Sequence, residues 1–99
     1  MKYKIEVSKN SSRTYEMFRV KAVDLRGKRI FGADADLTRR MENYDLDNPV
    51  WSEWTINWGS TGSQSYEDKK PYFDAIHVAM GILEALSKGQ KVSDNGMIG

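Results

Sequence analysis

Apolar and polar residues alternate from the first positions of the chain: Tyr3, Ile5 and Val7 are interleaved with Lys2, Lys4 and Glu6. A period of two puts the apolar set on one side of an extended backbone, so residues 2–7 are predicted as a strand with one solvated face. Seven polar residues, Ser8 to Thr14, read as a hairpin loop. From Tyr15 to Leu25 the apolar positions keep no single parity, with Phe18, Val20 and Ala22 on one side and Tyr15, Met17, Val23 and Leu25 on the other. That mixture fits a bulged strand or one covered on both faces. Arg26-Gly27-Lys28 is the next turn, and Arg29 to Leu37 follows as a strand with Phe31, Ala33, Ala35 and Leu37 on one face and Asp34 and Asp36 on the other.

Thr38 to Pro49 breaks the alternation and reads as a surface loop with at most one helical turn. Val50 to Trp58 then alternates cleanly, which directs Trp54, Ile56 and Trp58 to the core and Trp51 to the polar face. After Gly59-Ser60-Thr61-Gly62-Ser63 the apolar spacing changes to three and four, at Phe73, Ile76, Met80 and Leu83, flanked by Tyr72, Ala75, Ala79 and Leu86, the signature of an amphipathic helix. Ser65 and Asp68 are both candidate N-caps, the earlier one placing Pro71 in the helix interior, while Lys88 and Gly89 mark the stop. The predicted architecture is α+β: a single small antiparallel sheet of about four strands with one C-terminal helix packed on one face. Residues 1–89 form one domain, and 90–99, with Gly96, Gly99 and little apolar support, read as a flexible tail.

Composition narrows the class. Ninety-nine residues, 39% hydrophobic and 29% charged with two prolines, describe an ordinary folded domain rather than a low-complexity chain. No apolar run is long enough to span a membrane, and the charged N-terminus lacks the apolar stretch of a signal peptide. With no cysteine there is neither a disulfide framework nor a thiol nucleophile, and a cytoplasmic protein is the simplest account.

Candidate chemistry is sparse. His77 is the single histidine and lies at the edge of the apolar helix stripe, where Asp74 or Glu84 could orient it, but no nucleophile is placed by motif. Asp34-x-Asp36 and Asp45-x-Asp47 pair carboxylates without the third ligand, glycine and terminal glutamate of a calcium loop. The Gly59–Ser63 segment lacks the spacing of a phosphate-cradling loop, and Glu67 and Asp68 would oppose an anion there. No metal, cofactor or catalytic residue is implied, and the chain is expected to be non-enzymatic.

Charge changes the picture more than any motif. Residues 1–40 carry 11 basic and 5 acidic side chains, and residues 41–99 carry 4 basic and 9 acidic, so a formal net charge of +1 conceals a strong asymmetry. Two surfaces follow. Tyr44 and Trp51 among Asp45, Asp47 and Glu53 form a candidate partner-binding patch of the aromatic, charge-ringed kind. Lys2, Lys4, Arg19, Lys21, Arg26, Lys28, Arg29, Arg39 and Arg40, interleaved with Tyr3, Tyr15 and Phe18, would alternatively offer single-stranded nucleic acid phosphate contacts and stacking rings.

The stretch Trp54-Thr55-Ile56-Asn57-Trp58-Gly59-Ser60-Thr61-Gly62-Ser63, followed by an acidic turn and an amphipathic helix to Leu86, resembles small proteins of bacteriophages and mobile elements, among them inhibitors of host defence of the anti-CRISPR type. The resemblance implies a stoichiometric binder without enzymatic activity that occludes a functional surface of a host protein or nucleoprotein complex, acting in the host cytoplasm. It carries over no individual residue. A homodimer through an outer strand is a further expectation.

Overall fold

The computed structural model of the chain describes residues 2–58 and 66–99. Four strands, β1 (Tyr3–Ser11), β2 (Tyr15–Asp24), β3 (Arg29–Arg40) and β4 (Thr55–Trp58), precede one helix, α1 (Tyr66–Ser87). The strands form one antiparallel sheet in the order β1-β2-β3-β4, and α1 lies across one face, the α+β arrangement that the patterning predicts. The Gly59–Ser63 connector, Ser65 and the side chains of Phe31, Glu67 and Asp68 lie outside the described residues.

The covered face holds Phe18, Val20 and Ala22 of β2, opposite Ile5 and Val7 of β1 and Ala35 and Leu37 of β3. Above them α1 presents Ala75, Ala79 and Ile82, all buried. Burying each large aliphatic or aromatic side chain here is worth about 1.5–3 kcal/mol, and alanines on both layers let helix and sheet approach closely. This corrects the expected helix stripe. Phe73 and Met80 are about half exposed, because the inward line of α1 is the smaller one through Ala75, Ala79, Ile82 and Leu86.

Other boundaries also move. β1 continues to Ser11 because Ser8 to Ser11 still find ladder partners in Arg19 to Glu16, leaving only a tight turn closed by Ser12 N–H on the Tyr15 carbonyl at 2.7 Å. The irregularity expected in β2 lies in its partner: Lys21 pairs with Asp34 but Val23 with Arg29, so β3 carries extra residues there and Gly32 takes φ 78. α1 starts at the earlier of the two candidate positions, with Pro71 in its interior and buried. Its end is a Schellman motif: Gly89, at φ 76, donates to the Leu86 carbonyl and Gln90 to that of Ala85.

The final ten residues, expected as a tail, fold back as a small hairpin. Val92 bridges Ile98, Ser93 N–H donates to the Met97 carbonyl at 2.8 Å, and Gly99 N–H donates to that of Lys91 at 2.9 Å. Val92 packs on the core, and Gly96 lies so close to Val7 that an added Cβ would fall 2.8 Å from its side chain.

Candidate docking surface

The expected long strand from Val50 to Trp58 is instead a hairpin loop followed by a short strand. β3 extends through Arg39 and Arg40, where the patterning predicts a loop, and only Thr55 to Trp58 pair with it as β4. Between the two strands, Glu42 N–H donates to the Val50 carbonyl at 2.7 Å and Met41 bridges Trp51. Asn43 organises the loop inside that closing pair. Its Oδ1 accepts from the N–H groups of Asp45 (3.3 Å) and Val50 (3.0 Å), and its Nδ2 donates to the Asn48 carbonyl at 2.7 Å. Asp45 Oδ1 then accepts from the N–H groups of Asp47 (3.1 Å) and Asn48 (3.3 Å). Side chains of Asn and Asp commonly replace backbone partners in this way.

The consequence is an ordered loop whose apolar residues point outward. Tyr44 is 76% exposed, Leu46 53% and Val50 54%. Tyr44 is also held at φ 53, a left-handed conformation that costs a residue with a Cβ about 1–2 kcal/mol. Asp45, Asp47 and Glu53 are exposed as well, and from residue 41 to residue 68 the chain has six carboxylates and no lysine or arginine. Of the predicted partner-binding set, Tyr44, Asp45 and Asp47 thus share the loop, while Glu53 and Trp51 sit at its base.

Trp51 is not on the polar face as expected. The backbone leaves the ladder between Ser52 and Trp54, which breaks the alternation and brings Trp51 and Trp54 both within reach of one cation. The Arg39 guanidinium lies 4.6 Å from the Trp51 ring centroid and 5.1 Å from that of Trp54, and its Nε and Nη2 both donate to Glu16 Oε2. Trp54 continues into the core against Phe18 at 5.7 Å. This ladder ties the hairpin base to the sheet. Trp58, expected in the core, is 54% exposed because it ends the outermost strand.

The nine basic residues do not assemble into one surface. Strand parity puts Lys4, Arg19, Lys21 and Arg40 on the uncovered sheet face, whereas Arg39 belongs to the helix side. Arg26 and Lys28 lie in the β2–β3 turn, with Arg29 beginning β3 and Lys2 just ahead of Tyr3 at the same end of the sheet. Asp34 and Asp36 share the open face and take up part of its charge: Asp36 is bonded by Arg19 at 3.0 and 3.3 Å, and Asp34 by Arg29 at 3.0 Å. The hydrogen bond to Asp36 raises the Arg19 pKa further above its already high value. The stacking rings are also divided. Phe18 is buried under α1, Tyr3 turns to the helix side, and Tyr15 alone of the three remains on the open face.

His77 is exposed on α1, away from the core. Of its candidate partners, Glu84 is bonded by Lys88 at 2.9 Å, and Asp74 accepts from Lys70 at 2.8 Å and from the Tyr3 hydroxyl. Those two hydrogen bonds, the lysine's first, hold the Asp74 carboxyl below the usual aspartate range. Among the described residues no three metal-ligating side chains cluster, and no helix is long and apolar enough to cross a membrane.

Compared with protein-family models, with curated proteins and with solved structures, the chain finds no match. The functional reading therefore rests on the surface. Sequence reasoning missed Leu46 and Val50, although the 28-residue stretch without a basic residue was visible and marks the region that carries them.

Proposed function

We propose that this chain is a non-enzymatic interaction protein that docks through the acidic hairpin 42–53 and occludes the surface it covers. The observation that carries the reading is the exposed set Tyr44, Leu46 and Val50, fixed outward by the Asn43 and Asp45 hydrogen bonds within a segment bearing only negative charge. An apolar cluster that folding does not bury is characteristic of a binding surface, and a rigid loop loses little entropy on docking. The matching partner surface is an apolar pocket with a basic rim, as on a host protein or nucleoprotein complex. The resemblance to small phage-encoded inhibitors of the anti-CRISPR type supports the step from docking to inhibition in the host cytoplasm.

The test is capture by the tagged protein from a bacterial lysate split into an untreated and a nuclease-treated half, run beside a Tyr44→Ser/Leu46→Ala variant and a Lys21→Glu variant. A defined protein retained by the wild type and by Lys21→Glu, but lost from the hairpin variant, is the expected result. Recovery of nucleic acid alone, lost on nuclease treatment and on Lys21→Glu, would replace this reading with single-stranded nucleic-acid binding on the open sheet face.

A further inference from the structure

The two ends of the sheet differ in charge, one acidic and one net basic. β3 runs twelve residues from Arg29 to Arg40, about 40 Å at roughly 3.3 Å per residue, in a molecule 48 Å long. Hairpin 42–50 follows its last residue, whereas the β2–β3 turn and, through the Tyr3–Asp24 pairing, the start of β1 lie at its first. At that second end is a groove of about 620 Å³ lined by Tyr3, Ile5 and Leu25 with Lys2, Lys4, Lys70 and Asp74, in which Lys4 pairs with Glu6 and Lys70 with Asp74 while Lys2, unpaired among the described residues, adds a positive charge. Leu25 is 69% exposed there, and Lys2, Arg26 and Lys28 have no carboxylate partner among the described residues.

We propose that the groove takes the hairpin of a second copy of this chain. Leu46 and Tyr44 of one copy seat against Leu25, Tyr3 and Ile5 of the next, and Asp45 and Asp47 face its lysines. Two hairpins cannot pair with each other, because each presents Glu42, Asp45 and Asp47 to like charges. Two grooves repel less strongly, since Lys70 is paired with Asp74 and Lys4 with Glu6, but each still carries a net positive charge and neither presents a projecting apolar loop to fill the other. The contact is therefore head to tail, which leaves a free hairpin at one end and a free groove at the other and extends into rings or filaments. With few side chains buried the association is weak, on the order of 0.1 mM. The same hairpin serves the docking proposed above, but the contact requires no other protein and stands or falls without it.

Sedimentation velocity of the purified full chain tests this. The expected result is a sedimentation coefficient that rises with protein concentration at about 0.1 M salt, with affinity roughly tenfold or more weaker at about 1 M salt as screening shortens. Leu46→Ala/Asp47→Lys removes the hairpin contact, and Lys2→Glu/Leu25→Ser removes the groove. Each variant, folded by circular dichroism, should remain monomeric alone, and an equimolar mixture should form a one-to-one dimer that grows no further. Tyr44→Ser replaces the hairpin variant, and Lys4→Glu, in the groove lining, replaces the groove variant, if either does not fold. A wild type that stays monomeric to about 1 mM, association that survives in either variant, or a mixture that remains monomeric would each overturn the proposal.

Discussion

The sheet–helix core and the hairpin 42–50 handle apolar side chains in opposite ways. In the core, Phe18, Val20, Leu37 and Ile82 are buried and no polar or charged residue among those described is buried with them. In the hairpin, the polar side chains of Asn43 and Asp45 hold the backbone and Tyr44, Leu46 and Val50 face solvent. A single exposed leucine is ordinary. Three exposed apolar residues in one hydrogen-bonded loop are different, because the loop's shape does not depend on them and they remain available for another surface. The core is where apolar area stabilises the fold, and the hairpin is where it is presented.

The largest test of that division is Phe18→Ala. Phe18 is 1% exposed, stacks on Trp54 and lies at the centre of the covered face, so its removal leaves a cavity with a cost of about 3–5 kcal/mol. In a domain of this size the melting temperature should fall by roughly 15 °C or more, and a drop under about 4 °C would mean that the core lies elsewhere. A smaller effect is expected at Gly96→Ala. At φ +86, and with a Cβ meeting Val7 at 2.8 Å, alanine there should cost about 1–3 kcal/mol and speed amide exchange at Gly99 and Met97. Unchanged exchange would show that residues 91–99 do not rest on β1.

The same division explains what could be read in the sequence. Period-two stretches around Ile5, Val20, Ala35 and Ile56 locate all four strands, since burial on one face leaves a strict imprint. The helix was legible in extent but not in orientation. Its buried line begins with Ala75 and Ala79 before Ile82 and Leu86, and a hydrophobicity pattern ranks those alanines below Phe73 and Met80, although small side chains are what let the first turns of the line lie close to the sheet. The hairpin was legible in composition alone. Its form depends on which backbone N–H groups Asn43 and Asp45 reach, a geometric fact with no periodic trace. Likewise the double contact of Arg39 with Trp51 and Trp54 arises because alternation fails between them, and a continued period of two places Trp51 on the wrong face. The tail hairpin rests on one close approach, Gly96 to Val7, which spacing cannot reveal.

Within the hairpin the comparison sharpens to polar against apolar residues. Asn43→Ala removes one donor and an acceptor shared by two N–H groups, and because the loop is exposed water replaces part of the loss, so about 1–2 kcal/mol is expected. Faster exchange of the Val50 amide would locate the effect. Leu46→Ala should change stability by less than about 0.5 kcal/mol in urea while weakening capture of a partner. A stability loss above about 1.5 kcal/mol at Leu46 would make it a packing residue and erase the distinction between presented and buried apolar area.

The smallest effect belongs to the helix–β1 contact at the far end of the molecule, where Lys70, Asp74 and Tyr3 bond one another. Hydrogen bonding to Lys70, and then to Tyr3, lowers the Asp74 pKa, so the folded state binds its proton less readily than the unfolded chain. The resulting stability is complete above the ordinary aspartate value of about 3.9 and is lost as pH falls through the depressed one. Lys70 has the opposite sign: its raised pKa, caused first by Asp74 and then by Tyr3, gives stability that is complete below about 10.4 and is lost as pH rises through the higher value. Lys70 is exposed and Asp74 partly so, which screens the pair and keeps the contribution small. Urea midpoints of the wild type and Asp74→Asn should therefore differ by a modest, constant amount between about pH 5 and 9 and converge below about pH 4. A gap that persisted unchanged into acid would assign the loss to packing rather than to charge, and the contact would then belong with the core instead of the surface.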